Sequence, residues 1–115
     1  MTETVIYQVD LAGTKYLTKI ATQCDEIGRF CAENYYLSVN DDTDDDFTAV
    51  CGTDSCPQLF TGHDVLQNLQ APGTVVTHEF DRPVAARFVR LYPQGSMSGI
   101  YVGLRWEIYG CDSLV

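Results

Sequence analysis

The chain has few basic residues: seven Lys and Arg stand against sixteen Asp and Glu, which gives a formal net charge of −9. Nucleic-acid recognition depends on clustered cations, so this balance argues against nucleic acid as a partner. It also weakens attraction to anionic lipid surfaces. The chain has no apolar run near the roughly 20 residues that span a bilayer. Its opening MTETVIYQVD shows neither the basic nor the apolar region of a signal peptide.

Motifs of catalysis and metal binding are also missing. There is no GxSxG elbow around a serine, and no glycine-rich phosphate loop precedes a helical pattern. A zinc site is disfavoured because there is no CxxC pair, and His63 and His78 lie too far apart for ligand spacing. Nothing selects one carboxylate pair from sixteen acids for glycosidase-like chemistry. We therefore expect a protein without enzymatic activity.

What the chain does have is apolar content and cysteine. Its 115 residues are 45% hydrophobic, which predicts one folded domain over residues 1–115. Five cysteines in so short a chain indicate disulfides and an oxidising, extracellular setting. Cys24–Cys31 and Cys51–Cys56 are the simplest pairings because each closes a short loop, although spacing alone leaves the connectivity open. An odd number leaves at least one cysteine without a partner in the chain.

Alternation of apolar and polar residues predicts strands throughout. Turn residues separate them, notably Ala12-Gly13 and Asp81-Arg82-Pro83. No segment shows a helical stripe, so the pattern indicates an antiparallel sandwich or barrel. The predicted strands are 4–11, 16–23, 34–39, 47–50, 58–61, 74–80, 85–92 and 102–111.

Four stretches together resemble the discoidin domain, also called the coagulation factor 5/8 type C domain. They are YQVDLAG (7–13), LTKIATQ (17–23), RPVAARFVRLYPQ (82–94) and GLRWEIYGC (103–111), with a weaker match in LFTGHD (59–64). The resemblance implies an all-β, antiparallel, galactose-binding-like jelly-roll β-sandwich of eight strands. It also implies that ligands bind to loops at one end of the sandwich.

In the common pattern of this family the terminal cysteine bonds to a cysteine near the start of the domain. That earlier part has no counterpart here, so the resemblance implies a partial domain truncated at the N-terminus. Cys111 is then unpaired or joins two chains. A removed strand would also expose a sheet edge. We therefore expect a homodimer through the truncated edge or through Cys111.

The loop CDEIGRFC (24–31) is similar in position to a ligand-contacting spike of the family. A Cys24–Cys31 bridge would present its tip already ordered, which lowers the entropy lost on binding. The alternative is that Ile27 and Phe30 fold back onto the core. The predicted ligand-binding residues of this loop are Asp25, Ile27, Arg29 and Phe30.

A second candidate loop, PQGSMSGIY (93–101), resembles the connection between the last two strands. Ser96 can donate hydrogen bonds to hydroxyls, and Met97 offers an exposed apolar contact. The alternative is a plain Gly/Ser connector.

The acidic stretch NDDTDDD (40–46) is a candidate calcium-binding site, because calcium prefers oxygen ligands. Its spacing misses the EF-hand loop, so a solvated acidic loop is the preferred interpretation and no cofactor is expected. Some sugar-binding relatives hold Ca²⁺ through a Glu on the last strand, a position that Glu107 matches. The weak metal candidates are Asp42, Asp44, Asp46 and Glu107.

The resulting prediction is a non-catalytic extracellular recognition module that binds a cell-surface glycan and serves adhesion or innate recognition. Acidic charge favours a glycan because sugar binding needs no basic surface. Two alternatives stay open: binding of phosphatidylserine-type phospholipid membranes through Ile27 and Phe30, and a protein-interaction or assembly module. We expect Arg87, Arg90 and Arg105 to form structural ion pairs rather than to bind anions.

Overall fold

The computed structural model describes residues 6–24, 34–41, 46–62, 75–94 and 104–112, and every regular element in these ranges is a strand. The strands pair antiparallel in the order β3-β2-β5-β1-β6, and β4 also pairs with β2. This confirms the all-β antiparallel prediction. No described residue belongs to a helix that could cross a membrane. The strands are β1 (Tyr7–Cys24), β2 (Asn34–Asn40), β3 (Thr48–Ala49), β4 (Phe60–Thr61), β5 (Val76–Gln94) and β6 (Leu104–Cys111).

Strand β1 runs through the turn predicted at Ala12-Gly13. Its register with β5 shifts between Asp10 and Lys15, so residues 11–14 form a bulge. Ala12 has a φ of 66°, and its N–H donates to Asp10 Oδ1 at 2.8 Å, which satisfies a donor that has left the ladder. The predicted break is wrong because a bulge bends a strand without ending it.

Strand β5 likewise runs through Asp81-Arg82-Pro83, where a break was predicted. Its pairing with β1 resumes at Val84 after Glu79, so residues 80–83 have no partner on β1. Pro83 has no N–H, and in this unpaired stretch, the β5 bend, it interrupts no ladder. The two predicted strands are therefore halves of one strand.

Because β1 and β5 both bend, one continuous sheet folds into two layers. The first layer contains β6, the second half of β1 and the first half of β5; the second contains the first half of β1, the second half of β5, β2, β3 and β4. Ring contacts join the layers, since Phe60 of β4 lies 5.6 Å from His78 and 5.9 Å from Phe80 of β5 between ring centroids. The predicted β-sandwich is confirmed.

The core lies between the layers and is built from alternate residues of the long strands. Burial of each large apolar side chain contributes about 1.5–3 kcal/mol to folding. Trp106 and Ile108 of β6 pack against this core and are half-buried, as the alternation predicts. The largest fully buried side chains are Tyr35, Phe60, Leu17, Ile20, Leu37, Leu91 and Val89.

Residues 51–58 connect β3 to β4 at the edge of the sheet opposite β6. The Cys51–Cys56 disulfide is present, with Cα atoms 4.5 Å apart, as predicted. The backbone N–H and the hydroxyl of Thr53 both donate to Asp81 Oδ2 at 2.8 Å, which fastens this disulfide loop to the β5 bend. The Val50 N–H donates to the Leu37 carbonyl at 2.9 Å and attaches the start of the loop to β2.

The other predicted strands occur with shifted ends. Strand β2 extends one residue beyond the prediction, whereas β3 and β4 keep only two residues each. In β6 the close approach of β1 requires glycine: a Cβ on Gly110 would lie 2.4 Å from the carbonyl oxygen of Tyr16.

Candidate ligand-binding site

Three connections of the sandwich are attached at one end, the loop end. They are residues 25–33, 63–74 and 95–103, and the described residues that flank them pair with one another across the strands. His78 Nε2 lies 2.6 Å from the carbonyl oxygen of Thr61, which ties the two layers together at this end. The flanking pairs are Cys24–Leu104, Asn34–Gln94, Asn34–Thr61 and Thr22–Val76.

The residues predicted to bind ligand belong to two of these connections, and all of them lie outside the described residues. The structure therefore fixes where their segments are attached, at the loop end, and their roles stay predictions. The residues concerned are Asp25, Ile27, Arg29, Phe30, Ser96 and Met97.

Near the loop end, Trp106 lies opposite Thr22 of β1 and lines two depressions. The smaller has a volume of about 220 Å³ and the larger about 420 Å³. An aromatic ring with amide and carboxylate side chains beside it is a common lining of small-ligand sites. The other lining residues are Ala21, Thr22, Gln23 and Glu107 in the smaller depression, and Gln8, Val9, Glu107 and Ile108 in the larger.

Trp106 was not among the ligand-binding residues predicted from the sequence, because those were all assigned to loops. The signal that was available is composition: this is the one tryptophan of the chain. A ring that is half-buried at the loop end can both pack on the core and contact a ligand.

On the outer face of the first layer, Tyr109 is held by two neighbours. Its hydroxyl donates to Glu107 Oε2 at 2.8 Å, and the ammonium of Lys19 lies 4.6 Å from its ring centroid. The hydrogen bond to Glu107, followed by desolvation and the charge of that carboxylate, raises the pKa of Tyr109. Glu107 is thus engaged in a hydrogen bond on this surface.

The two calcium candidates that the structure describes, Asp46 and Glu107, lie in different layers. Asp42 and Asp44 lie outside the described residues, Asp46 is an exposed residue just before β3, and Glu107 lies in the other layer. Across the described ranges no group of three or more His, Cys, Asp or Glu side chains is placed to hold a metal ion.

The arginines of β5 have structural partners. Arg87 Nε lies 3.1 Å from Asp10 Oδ1, and this hydrogen bond is the main cause of the lowered pKa of Asp10. Arg90 donates to Gln8 Oε1 at 2.7 Å, and its guanidinium lies 3.8 Å from the ring centroid of Phe47. The predicted ion pair is confirmed for Arg87, whereas Arg90 has structural partners but no ion pair among the described residues. The Arg105 side chain lies outside the described part.

Of the remaining cysteines, Cys111 is a free, exposed thiol at the end of β6, as predicted. Cys24 ends β1, but its side chain and the whole of Cys31 lie outside the described residues, so the predicted Cys24–Cys31 bridge stays a prediction. His78 contacts the rings of Tyr35 and Phe60, which marks it as a structural residue of the sandwich. His63 lies outside the description.

A model of the F5/8 type C domain matches residues 2–108. The chain belongs to the F5/8 type C domain family. This confirms the resemblance drawn from the four sequence stretches. Discoidin domains are binding modules, so membership supports a non-catalytic binding role for this chain.

Among curated relatives, Neuropilin-1 of Gallus gallus is 34% identical over 109 residues, and Neuropilin-1 of Homo sapiens is 31% identical over 108 residues. Each alignment covers 90% of this chain and 11% of the relative. The chain therefore spans only about 11% of the length of these curated proteins.

Among solved structures, this domain resembles chitosan-binding module 2 from a chitosanase/glucanase of Paenibacillus sp. IK-5, solved with chitotriose. The TM-score is 0.62 at 19% identity, over 91% of this chain and 69% of that one. At this identity the likeness establishes the shared fold.

Proposed function

We propose that this discoidin domain binds a cell-surface glycan at the loop end and serves adhesion or innate recognition. The observation that carries the proposal is the attachment of three connections around one end of a rigid sandwich, with Trp106 close by. Loops on a rigid scaffold are where binding residues concentrate. In this proposal Trp106 and Phe30 offer ring faces to the sugar, and Asp25 and Arg29 orient its hydroxyls.

The net charge of the chain limits which glycans are expected to bind. A net charge of −9 repels sulfated and other polyanionic sugars over several ångströms, so neutral sugars or amino sugars are the proposed ligands. The chitosan-binding module of similar fold was solved with the amino-sugar trimer chitotriose, which supports sugar as a ligand class for this architecture. The Cys51–Cys56 disulfide supports the extracellular setting that a cell-surface ligand requires.

A glycan array followed by titration of the best neutral or amino sugar tests the proposal. The intrinsic fluorescence of Trp106 reports the titration without ambiguity because the chain has no other tryptophan. Trp106→Leu should weaken binding on the array at least about tenfold, since central aromatic contacts dominate binding energy. Phe47→Leu is the matched control, because Phe47 is also a half-buried ring but packs on Arg90 in the other layer.

Circular dichroism of both variants separates lost binding from lost folding. Absence of binding across a broad array would remove the glycan proposal. Co-sedimentation with phosphatidylserine liposomes, abolished by Phe30→Ala, would replace it with membrane recognition. Failure of both assays would leave a protein ligand as the remaining hypothesis.

A further inference from the structure

A separate cavity of about 430 Å³ lies between the disulfide loop and the β5 bend. Its volume falls within the roughly 300–1,000 Å³ of ligand pockets. The cavity is remote from the loop end: Val84, in its wall, pairs with Leu17, seven residues before Cys24 on β1. At about 3.3 Å per residue, that separation is roughly 20 Å. The loop-end site therefore does not include it.

The walls combine an apolar floor with a fixed polar rim. Val50 is buried, and Phe80 and Val84 are half-buried. On the rim, Thr53 donates two hydrogen bonds of 2.8 Å to Oδ2 of Asp81. The other carboxylate oxygen of Asp81 accepts no hydrogen bond in the described part of the chain, so it can accept one from a ligand.

Arg82 completes the rim with a cation. It is exposed, and within the described ranges no ion pair, hydrogen bond or ring contact engages its guanidinium. Other described cations are engaged: Lys15 pairs with Asp112, and Arg87 with Asp10. Arg82 thus places N–H donors on the same rim as the Asp81 carboxylate, with which its charge interacts.

We propose that this cavity binds a neutral, polyhydroxylated ligand and forms a second sugar subsite of the domain. The Asp81 carboxylate accepts from one sugar hydroxyl, the Arg82 guanidinium donates to another, and Phe80 and Val84 contact the C–H face of the ring. This arrangement of one acceptor, one donor and an apolar wall is complementary to a sugar. The ligand class rests on the proposed function, whereas the position of the subsite does not.

An anionic ligand fits the cavity less well. The hydrogen bonds from Thr53, and secondarily the charge of Arg82, lower the pKa of Asp81, so its carboxylate is ionised at neutral pH and repels a second anion. The net charge of −9 on the chain also repels an anionic ligand.

Two-dimensional ¹⁵N NMR titration with glucose, galactose and N-acetylglucosamine, each into the millimolar range, tests the subsite. At least one sugar should shift the amide signals of Gly52, Thr53 and Val84, which line the cavity. Arg82→Gln should weaken that response about tenfold or more, because it removes a hydrogen bond from a charged donor. Lys15→Gln removes the same charge at a residue that does not line the cavity and should leave the response unchanged.

The indole N–H signal of Trp106 reports the loop end in the same spectra. Shifts at Trp106 alone would overturn the second subsite and leave the proposed function standing. Shifts at the cavity alone would support the subsite and count against the loop-end site. No cavity shift with any of the three sugars, or an Arg82→Gln response equal to that of the unaltered protein, would overturn the inference.

Discussion

Adding one methyl group at Gly110 tests the packing of β6 on β1. A Cβ there would lie 2.4 Å from the carbonyl oxygen of Tyr16 and 3.0 Å from the Cα of Leu17. Both are backbone atoms of the paired strand, so neither can rotate away and the strands must separate. Overpacking of this kind destabilises the folded state by about 1–3 kcal/mol. Alanine also lowers the conformational entropy of the unfolded chain, which offsets about 0.4–1 kcal/mol of that loss. Gly110→Ala should therefore lower the free energy of unfolding by about 1–2 kcal/mol.

Gly13→Ala is the matched control, because a Cβ at Gly13 meets nothing within 4 Å and its φ lies outside the left-handed region. That variant should be unchanged or more stable by up to about 1 kcal/mol. Urea unfolding followed by Trp106 fluorescence measures both, with the m-value showing whether the exposed surface is the same. Equal shifts for the two variants, or a stabilised Gly110→Ala, would refute the assigned pairing of Gly110 with Leu17.

Four further predictions each concern one residue. Ala12→Gly should stabilise the domain by about 0.5–1 kcal/mol in the same urea assay. The reason is that the strain energy of alanine at a φ of 66° exceeds the extra conformational entropy that glycine loses on folding. The buried hydroxyl of Tyr35 makes no hydrogen bond of good geometry to a described residue, because its contact with the Thr22 side chain is poorly aligned; Tyr35→Phe should therefore keep or raise stability, and a loss above about 1 kcal/mol would show that Thr22 is a true partner. Since the pKa of Asp81 is lowered from 3.8 in the folded state, its contribution is present above pH 3.8 and is lost as pH falls through the folded pKa; Thr53→Ala should flatten that fall in urea curves measured against pH. Exposed Cys111 should react with a thiol reagent without denaturant, Cys111→Ser should abolish that reaction, and mass spectrometry that finds Cys111 unlabelled would contradict its exposure.

The alternation of apolar and polar residues predicted most strands, because successive side chains of a strand point alternately to the core and to solvent. Strand β2 shows this best: it matches its prediction to within one residue. The errors lie at Ala12-Gly13 and at Asp81-Arg82-Pro83, where residues typical of turns occur inside strands. The residue types that favour a turn, such as glycine, aspartate and proline, also occur at bulges and bends inside a strand. Only the pairing of β1 with β5 across the sheet decides between them, and that pairing is not a local property.

The candidate sites were harder to predict than the strands because they join residues far apart in the sequence. Thr53 and Asp81 are 28 positions apart, yet they form one rim. Thr22 and Trp106 come together only through the pairing of β1 with β6. No spacing rule links such residues. The family resemblance indicated loops at one end, and the strand register located that end, but the cavity beside Arg82 has no sequence motif.

The two bends explain how one sheet can carry sites at two separate places. Residues 11–14 of β1 and 80–83 of β5 carry the chain from one layer to the other without a long loop, so the three long connections are all attached at the opposite, loop end. The β5 bend in turn forms one wall of the second cavity. If both sites take sugar, a glycan long enough to span roughly 20 Å binds more tightly than its monosaccharide, because the second contact is intramolecular. Arg82→Gln should then remove the advantage of the longer chain in a titration of matched oligosaccharides while leaving monosaccharide binding at Trp106 unchanged, and an advantage that persists in this variant would show that the loop end alone accounts for it.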